Sequence, residues 1–205
     1  MFFVFEGADG VGKTTQAQML ADRLKQDRGC RIEMYREPGG TALGEQIRGL
    51  LLDPATGDLS PQTEMFLFMA ARSHLLGQRI LPALSAGTVV ICDRYLWSSV
   101  VYQGIVGGLS AQQVLRCGRM SAWVQPTRTF IIDLSVETAY RRAGRSDRME
   151  RKGAQFQEKV RNGFLELARK YPPKVVVVDG RGSARDVHLR IIKHLPARGW
   201  SACAR

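Results

Sequence analysis

The sequence predicts an α/β fold in which a five-stranded parallel sheet is flanked by helices on both faces. Five short strand-like segments recur along the chain, and a helical stretch separates each from the next. Such alternation favours a parallel sheet, because the intervening helices provide right-handed crossovers that cover both faces. The third and fifth segments are apolar almost throughout, as expected of strands buried on both sides. The five strands are predicted at Phe2–Phe5, Arg31–Tyr35, Thr88–Cys92, Arg128–Leu134 and Lys174–Val178.

Three helices can be located from apolar residues that recur every three or four positions. They are predicted over Thr14–Leu24, Thr41–Leu52 and Pro61–Leu84. The third is apolar around much of its surface, which is typical of a central helix or of one that packs against a second subunit. No linker or internal repeat interrupts the chain, so residues 1–205 are predicted to form one domain with a frayed tail at 196–205.

A glycine-rich stretch between the first strand and the first helix matches the phosphate-binding pattern G-x-x-x-x-G-K-[ST]. The stretch consists of Gly7, Ala8, Asp9, Gly10, Val11, Gly12, Lys13 and Thr14, and Thr15 follows it. Glycines allow successive backbone N–H groups to point at phosphate oxygens. The lysine then reaches the outer phosphates of ATP, and the threonine hydroxyl can ligate Mg²⁺. The strand before the stretch and the helix after it are the context that this motif requires, which argues against a chance match.

An acidic residue follows the apolar run of the third strand. Asp93 comes directly after four apolar residues, which matches the second nucleotide-binding signature. Its carboxylate would hold the Mg²⁺ shell beside Thr14, so these two residues are the predicted metal ligands. The alternative is an ordinary aspartate that caps the next helix.

The composition is that of a globular protein with a strongly basic balance. Of the 205 residues, 44% are hydrophobic, and the formal net charge is +11. Such a charge favours either nucleic acid or phosphorylated small molecules bound by converging arginines, and it does not separate the two. No apolar run approaches the length of a membrane span, the N-terminus lacks a secretion signal, and the four cysteines show no C-x-x-C spacing. A cytoplasmic protein with reduced thiols and no membrane partner is therefore expected.

Three further stretches carry a resemblance to a known family. They are Arg36–Thr41 after the second strand, Phe66–Arg72 on the long helix and Asp93–Gln103 after the third strand. With the phosphate-binding loop (P-loop), they make the chain similar to bacterial-type thymidylate kinases from Phe2 to about Leu195. The resemblance implies the P-loop kinase fold with a mobile lid, ATP as phosphoryl donor, Mg²⁺, and dTMP as the acceptor that becomes dTDP in dTTP biosynthesis. It also implies a homodimer without a nucleic-acid partner.

The residue chemistry of the long helix agrees with a thymine site. Phe68 and Arg72 lie four positions apart and therefore share one helix face. An aromatic ring can stack on a base, and an arginine, which only donates, would suit the O4 acceptor of thymine and reject the amino group of cytosine. The resemblance further implies that Gln103 reads thymine, that Ser99 lies beside the base and that Tyr102 lies beneath the deoxyribose. The alternative is ordinary packing of a core phenylalanine, a surface arginine and a tyrosine in helix contacts.

Charged residues are expected around the acceptor phosphate. The resemblance makes Arg94 the clamp on the dTMP phosphate, with Arg48 as a second candidate, and bidentate geometry suits arginine to that task. It places Glu37 near the acceptor phosphate and its metal, and Asp9 near the sugar 3′-hydroxyl or the metal. Lys13, Asp9 and Arg94 are thus catalytic candidates. Solvated surface charges, or an Asx turn in the case of Asp9, are the alternatives.

The lid is expected at about 141–152, where arginines cluster after the fourth strand. The P-loop contains no arginine within Ala8–Val11. In thymidylate kinases whose P-loop lacks this arginine, an arginine of the lid supplies the positive charge that stabilises the transition state. Arg148 is the first candidate for this role and Arg145 the second, because Asp147–Glu150 resembles the lid core, although a methionine replaces the usual branched or aromatic residue. A solvated charged helix is the alternative.

Two more arginines are expected at ATP. Arg142 lies in the lid, and Arg181 lies in a loop after the fifth strand that resembles the loop over the adenine. A strand that ends in Asp-Gly is common, so the second signal is weak.

Two other functions remain open at this point. Another nucleoside monophosphate or deoxynucleoside kinase would use the same core with a different acceptor pocket. A P-loop nucleic-acid-dependent ATPase is favoured mainly by the basic charge, and it would leave the acceptor motifs unexplained.

Overall fold

Five parallel strands form the sheet that the sequence predicts, in the order β2-β3-β1-β4-β5. A computed structural model describes residues 1–121, 123–142, 153–171 and 174–197 of the chain. The strands are β1 Phe2–Glu6, β2 Ile32–Arg36, β3 Val89–Asp93, β4 Arg128–Asp133 and β5 Val175–Asp179. Each boundary lies within one residue of its predicted position, and the predicted α/β class is confirmed.

Helices connect the strands and cover the sheet. In chain order they are α1 Lys13–Arg28, α2 Ala42–Leu52, α3 Pro61–Leu75, α4 Leu81–Ser85, α5 Leu96–Ser99, α6 Ala111–Met120, α7 Val136–Arg142, α8 Ala154–Lys170 and α9 Ala184–Ile192. Helix α1 packs on β1, β2 and β3 and against α9, whereas α8 packs on β4 and β5. Two π-helical segments, Leu76–Ile80 and Val100–Val106, directly follow α3 and α5.

The long helix predicted over Pro61–Leu84 is interrupted. It continues from α3 through the π-helical segment into α4, and the backbone N–H of Leu81 reaches five residues back to Leu76. Pro82 lies in the first turn of α4. A proline inside a helix lacks the N–H donor and its ring crowds the carbonyl four residues earlier, which accounts for the wider turn before it.

The prediction that the fifth strand is buried on both faces is wrong. Val177, in the middle of β5, is 44% exposed. The reason is the strand order, because β5 lies at the end of the sheet and pairs only with β4 among the described strands. Strand β3, which lies between β2 and β1, is buried from Val89 to Cys92 as predicted.

The central strand aligns the P-loop with the end of β3. Phe5 pairs with Asp93, so the loop that follows Glu6 begins at the same edge of the sheet as that aspartate. Gly7 starts the loop with a φ of 135°, and a Cβ there would lie 2.7 Å from the carbonyl oxygen of Ile132. The P-loop can therefore pass over β4 only because this position is a glycine.

The cysteines and the helix lengths can be compared with two further expectations from the sequence. Cys92 and Cys117 are free thiols, as expected, but the expectation of a reduced thiol is wrong for Cys30, which is disulfide-bonded. Across the described ranges, every helix is too short or too polar to cross a bilayer.

Candidate active site

A cavity of about 610 Å³ opens at the carboxyl ends of the central strands. It is enclosed by the P-loop, the start of α1, helices α2 and α3, and the segment that follows β3. Most of the predicted site residues line it: Asp9, Gly10, Lys13, Thr14, Glu37, Arg48, Phe68, Arg72, Asp93, Arg94, Ser99, Tyr102 and Gln103. The fold therefore joins the phosphate-binding and acceptor-binding motifs into one space.

Lys13 is buried over the P-loop. Its Nζ donates a hydrogen bond to the backbone carbonyl of Ala8 at 2.7 Å, and the residue is 7% exposed. Burial, together with the nearby Arg94 charge, lowers the pKa of Lys13 to about 8. A bound phosphate would raise this pKa again, because an opposite charge stabilises a buried ammonium group. Thr15, two residues further on, is exposed.

Thr14 and Asp93 form the predicted metal-binding pair. The Thr14 hydroxyl donates to Asp93 Oδ2. The other carboxylate oxygen, Oδ1, is buried and has no hydrogen-bond partner among the described residues. Oxygen donors of this kind suit Mg²⁺, which takes one or two protein ligands and completes its shell with water and substrate phosphates. The donor set of this pair therefore fits Mg²⁺.

Arg94 joins the P-loop to the cavity wall that follows β3. Its backbone has a φ of 69°, which is uncommon outside glycine and is often found at functional sites. Its guanidinium forms an ion pair with Asp9 and donates to the Ser98 hydroxyl at 3.1 Å. The Tyr102 hydroxyl donates to the same Asp9 carboxylate at 3.1 Å. Burial acts to raise the pKa of Asp9, but the charges of Arg94 and Lys13 outweigh it and hold that pKa below its ordinary value.

The predicted base-reading arginine is fixed on several sides. Arg72 is 1% exposed, and its Nε donates to Glu37 Oε2 at 2.6 Å. Its Nη2 donates to Ser99 Oγ at 3.0 Å and to the Tyr95 carbonyl at 3.1 Å, while Nη1 contacts Met69 Sδ at 3.2 Å. Glu37 therefore holds the guanidinium in place, a contact that the sequence resemblance did not indicate. The other Glu37 oxygen, Oε1, is buried without a hydrogen-bond partner among the described residues.

The remaining predicted base contacts lie on the same wall. Phe68 is half-buried at the cavity, one helical turn before Arg72. Gln103 is 1% exposed, and its Nε2 donates to Glu64 Oε2 at 2.9 Å. Tyr102, 7% exposed, has its ring 5.4 Å from the Arg94 guanidinium carbon. These residues give this wall of the cavity two aromatic rings and a buried amide.

Other predicted residues lie at the margins. Arg48 donates to the Pro38 carbonyl at 3.0 Å and lines the cavity. Arg181 is 82% exposed and forms an ion pair with Asp179. Arg142 lies 3.4 Å from the Gly182 carbonyl, so both predicted ATP arginines lie near the end of β5. The lid candidates Arg145 and Arg148 lie outside the described residues.

Glu6 and Gln157 are buried residues in contact with the site that have no counterpart in the sequence predictions. Glu6 is fully buried at the end of β1 and accepts backbone hydrogen bonds from Tyr95 at 2.9 Å and Ser98 at 3.1 Å. Burial raises the pKa of Glu6 to about 7, against the opposing effect of the Ser98 hydroxyl. Gln157, on α8, donates to Asp9 at 3.0 Å. An acid after four apolar residues, the same signal that identified the end of β3, could have pointed to Glu6, whereas no local pattern marks Gln157.

The fold and cavity define the class of the protein. A P-loop after a central strand, opposite an arginine-rich wall large enough for a nucleotide, is the arrangement of a P-loop kinase for small phosphorylated acceptors. Residues 5–191 match the thymidylate kinase family model. The chain belongs to the thymidylate kinase family.

Individual relatives agree with this assignment. A thymidylate kinase from Pelotomaculum thermopropionicum is 42% identical over 197 residues, covering 94% of this chain and 91% of that protein. A thymidylate kinase from Symbiobacterium thermophilum is 44% identical over 190 residues, covering 91% and 88% respectively. The crystal structure of thymidylate kinase from Ehrlichia chaffeensis superposes with a TM-score of 0.80 at 33% identity, covering 94% of this chain and 97% of that one. The sequence-based recognition of the family is confirmed.

Proposed function

We propose that this chain transfers the γ-phosphoryl group of ATP to dTMP and forms ADP and dTDP. The observation that supports this most strongly is the position of the P-loop. Lys13 and the predicted base residues Phe68 and Arg72 line one cavity of about 610 Å³. ATP phosphates on the loop would therefore face the phosphate of a pyrimidine nucleotide bound against α3.

In the proposed reaction, a phosphate oxygen of dTMP attacks the γ-phosphorus of ATP while the bond from that phosphorus to the β–γ bridging oxygen breaks. The protein contributes positioning and charge, which supply most of the catalysis in phosphoryl transfer. Lys13 would neutralise the outer ATP phosphates, and Arg94 would hold the dTMP phosphate in line. Thr14 and Asp93 would hold Mg²⁺, which would supply positive charge against the phosphates of ATP.

Comparing acceptors tests this proposal against other monophosphate kinases. We expect ATP-dependent turnover with dTMP. The kcat/KM for dUMP should be lower by roughly ten- to two-hundred-fold, because one methyl contact is lost. The enzyme should reject dCMP and AMP more strongly than dUMP. Equal use of dCMP and dTMP would show that the acceptor pocket does not recognise thymine. ATPase activity stimulated by DNA, without turnover of any monophosphate, would favour the nucleic-acid-dependent ATPase.

An arginine of the lid is proposed to supply the remaining positive charge that stabilises the phosphoryl group in the transition state. No basic side chain occurs within Ala8–Val11, whereas the segment 141–151 contains Arg141, Arg142, Arg145, Arg148 and Arg151. An arginine supplied to such a transition state is worth roughly 10³-fold or more in kcat. We expect Arg148→Ala to lower kcat by about that factor with little change in the KM for dTMP, as measured alongside alanine variants of the other four. If none of the five alanine variants lowers kcat tenfold, the positive charge that stabilises the transition state comes from outside this segment.

Two subunits are proposed to pair through the outer face of α3 and α4. Phe66 is 62% exposed and Leu81 is 40% exposed, while Ala70 and Gly77 between them are also exposed. Residues at this spacing form one stripe along a helix, and a second copy would cover its apolar surface. We expect sedimentation of a dimer for the wild type and of a monomer for Phe66→Glu. Leu189→Glu, a charge-matched change on α9, should leave the dimer intact, and a dimeric Phe66→Glu variant would exclude this face.

The remaining proposals concern the whole chain. Residues 1–205 are proposed to form one kinase domain in the cytoplasm, without a stable nucleic-acid or membrane partner. The basic charge then serves phosphorylated substrates, since arginines line the cavity that the P-loop faces.

A further inference from the structure

The orientation of one buried amide decides what the cavity presents to a base. Gln103 lies in the π-helical segment after α5, is 1% exposed and lines the cavity. Its Nε2 donates to Glu64 Oε2 at 2.9 Å. Its Oε1 is buried and has no hydrogen-bond partner among the described residues. The amide therefore keeps one acceptor available.

The partner on α3 determines this orientation. Glu64 lies in the first turn of α3, is 4% exposed and is not among the described residues that line the cavity. Glu64 Oε2 accepts this hydrogen bond, so the Gln103 amide turns its NH₂ group toward the side chain of Glu64. The reverse orientation would bring two acceptor oxygens together in a buried place and leave the NH₂ group without this partner.

We propose that Glu64 is a positioning residue that selects the base by fixing the Gln103 carbonyl toward the cavity. The proposal rests on the proposed function and deepens it, because it assigns a specificity determinant to the same acceptor pocket. Glu64 does not touch the base itself; it acts through the amide of Gln103.

The chemistry of the pyrimidine edge explains the selection. Thymine and uracil carry an N3–H donor, which matches a fixed carbonyl acceptor, whereas the N3 of cytosine is itself an acceptor. Arg72 supplies only donors to its surroundings, which suits O4 of thymine and opposes the cytosine amino group. Gln103 would thus accept from N3–H while Arg72 would donate to O4, a combination that thymine satisfies and cytosine does not. Without Glu64, the amide is free to turn and present its NH₂ group to the N3 of cytosine.

Glu64→Gln tests this directly, because it keeps the size of the side chain and adds a donor. The amide introduced by this change can accept from the NH₂ group of Gln103 or donate to its carbonyl oxygen, so it no longer favours one orientation of the Gln103 amide. We expect the ratio of kcat/KM for dTMP to that for dCMP to fall about tenfold or more, on the scale of one buried hydrogen-bonding group left without its partner. The change should appear in the KM values for the two acceptors, while kcat with dTMP and the KM for ATP remain within about threefold. Glu166→Gln, the same charge change at an exposed site on α8, should leave the ratio unchanged.

A reciprocal exchange separates positioning from a purely structural role. In Glu64→Gln with Gln103→Glu, the carboxylate lies at the cavity and accepts from the new amide, so an acceptor again faces N3. We expect this double variant to regain most of the preference for dTMP over dCMP. The proposal would be overturned if Glu64→Gln left the dTMP/dCMP ratio of kcat/KM unchanged, or if it weakened the use of both acceptors and of ATP equally. It would also be overturned if the double variant did not regain the preference for dTMP. Lack of dTMP phosphorylation by the wild type would instead refute the proposed function.

Discussion

Replacing Lys13 with methionine is expected to lower kcat for dTDP formation by about 10²- to 10³-fold. The ammonium group is buried over the P-loop, 2.7 Å from the Ala8 carbonyl, where a charge acts on phosphate oxygens without competition from water. Removing one preorganised donor from such a site typically costs that factor. Steady-state kinetics with saturating ATP and dTMP measures the effect.

The stability of the Lys13→Met variant provides the control. Burial lowers the pKa of Lys13 to about 8, so the folded protein bears a desolvation cost for this charge. Methionine has a similar length and no charge, and the melting temperature should therefore be maintained or raised. A folded variant with kcat within threefold of the wild type would contradict the assignment of the donor site.

Arg94→Ala is expected to lower kcat/KM for dTMP by about 10²- to 10³-fold, while the KM for ATP changes little. Breaking a buried, hydrogen-bonded charge pair commonly costs about 2–5 kcal/mol or more, which corresponds to factors of this size. Because Arg94 also pairs with Asp9, its loss should destabilise the protein as well. Kinetics and thermal unfolding are therefore measured together.

Asp9→Asn in the Arg94→Ala background distinguishes these two effects. The asparagine removes the carboxylate charge that has lost its ion pair with Arg94, so stability should return, but activity with dTMP should not. If activity returned with stability, Arg94 would serve only to neutralise Asp9.

The pH dependence of stability gives an independent check. Arg94 and Lys13 hold the folded-state pKa of Asp9 below its ordinary value of about 3.9, despite the effect of burial. A lowered carboxyl pKa stabilises the fold above the unfolded-state pKa, and this contribution disappears as the pH falls through the folded-state pKa. The stability difference between wild type and Arg94→Ala should thus be largest near neutral pH and shrink below about pH 4.

Sequence patterns predicted the local elements well. The strands follow from five short strand-like segments, two of them apolar almost throughout, and each lies within one residue of its predicted bounds. The exposure of Val177 could not be predicted in that way, because the sequence around β5 does not reveal that it is an edge strand. The order of strands depends on crossovers between distant segments rather than on local composition.

The site was predictable where short motifs carry it. The P-loop, Asp93 and the acceptor motifs identified most of the residues that line the cavity. Buried polar partners were missed because they act over long sequence separations: 39 residues between Gln103 and Glu64, and 148 between Gln157 and Asp9. A carboxylate or amide of this kind has no local signature, since its partner is chosen by the tertiary fold.

The cavity is proposed to bring the γ-phosphoryl group of ATP to the phosphate of dTMP. Following the label from [γ-³²P]ATP, with the purified wild type, Mg²⁺ and dTMP, tests it most directly. The label should appear in dTDP in proportion to the ADP formed, and Lys13→Met should form neither product at a comparable rate. Release of the label as inorganic phosphate alone, with dTMP recovered unchanged, would contradict the claim.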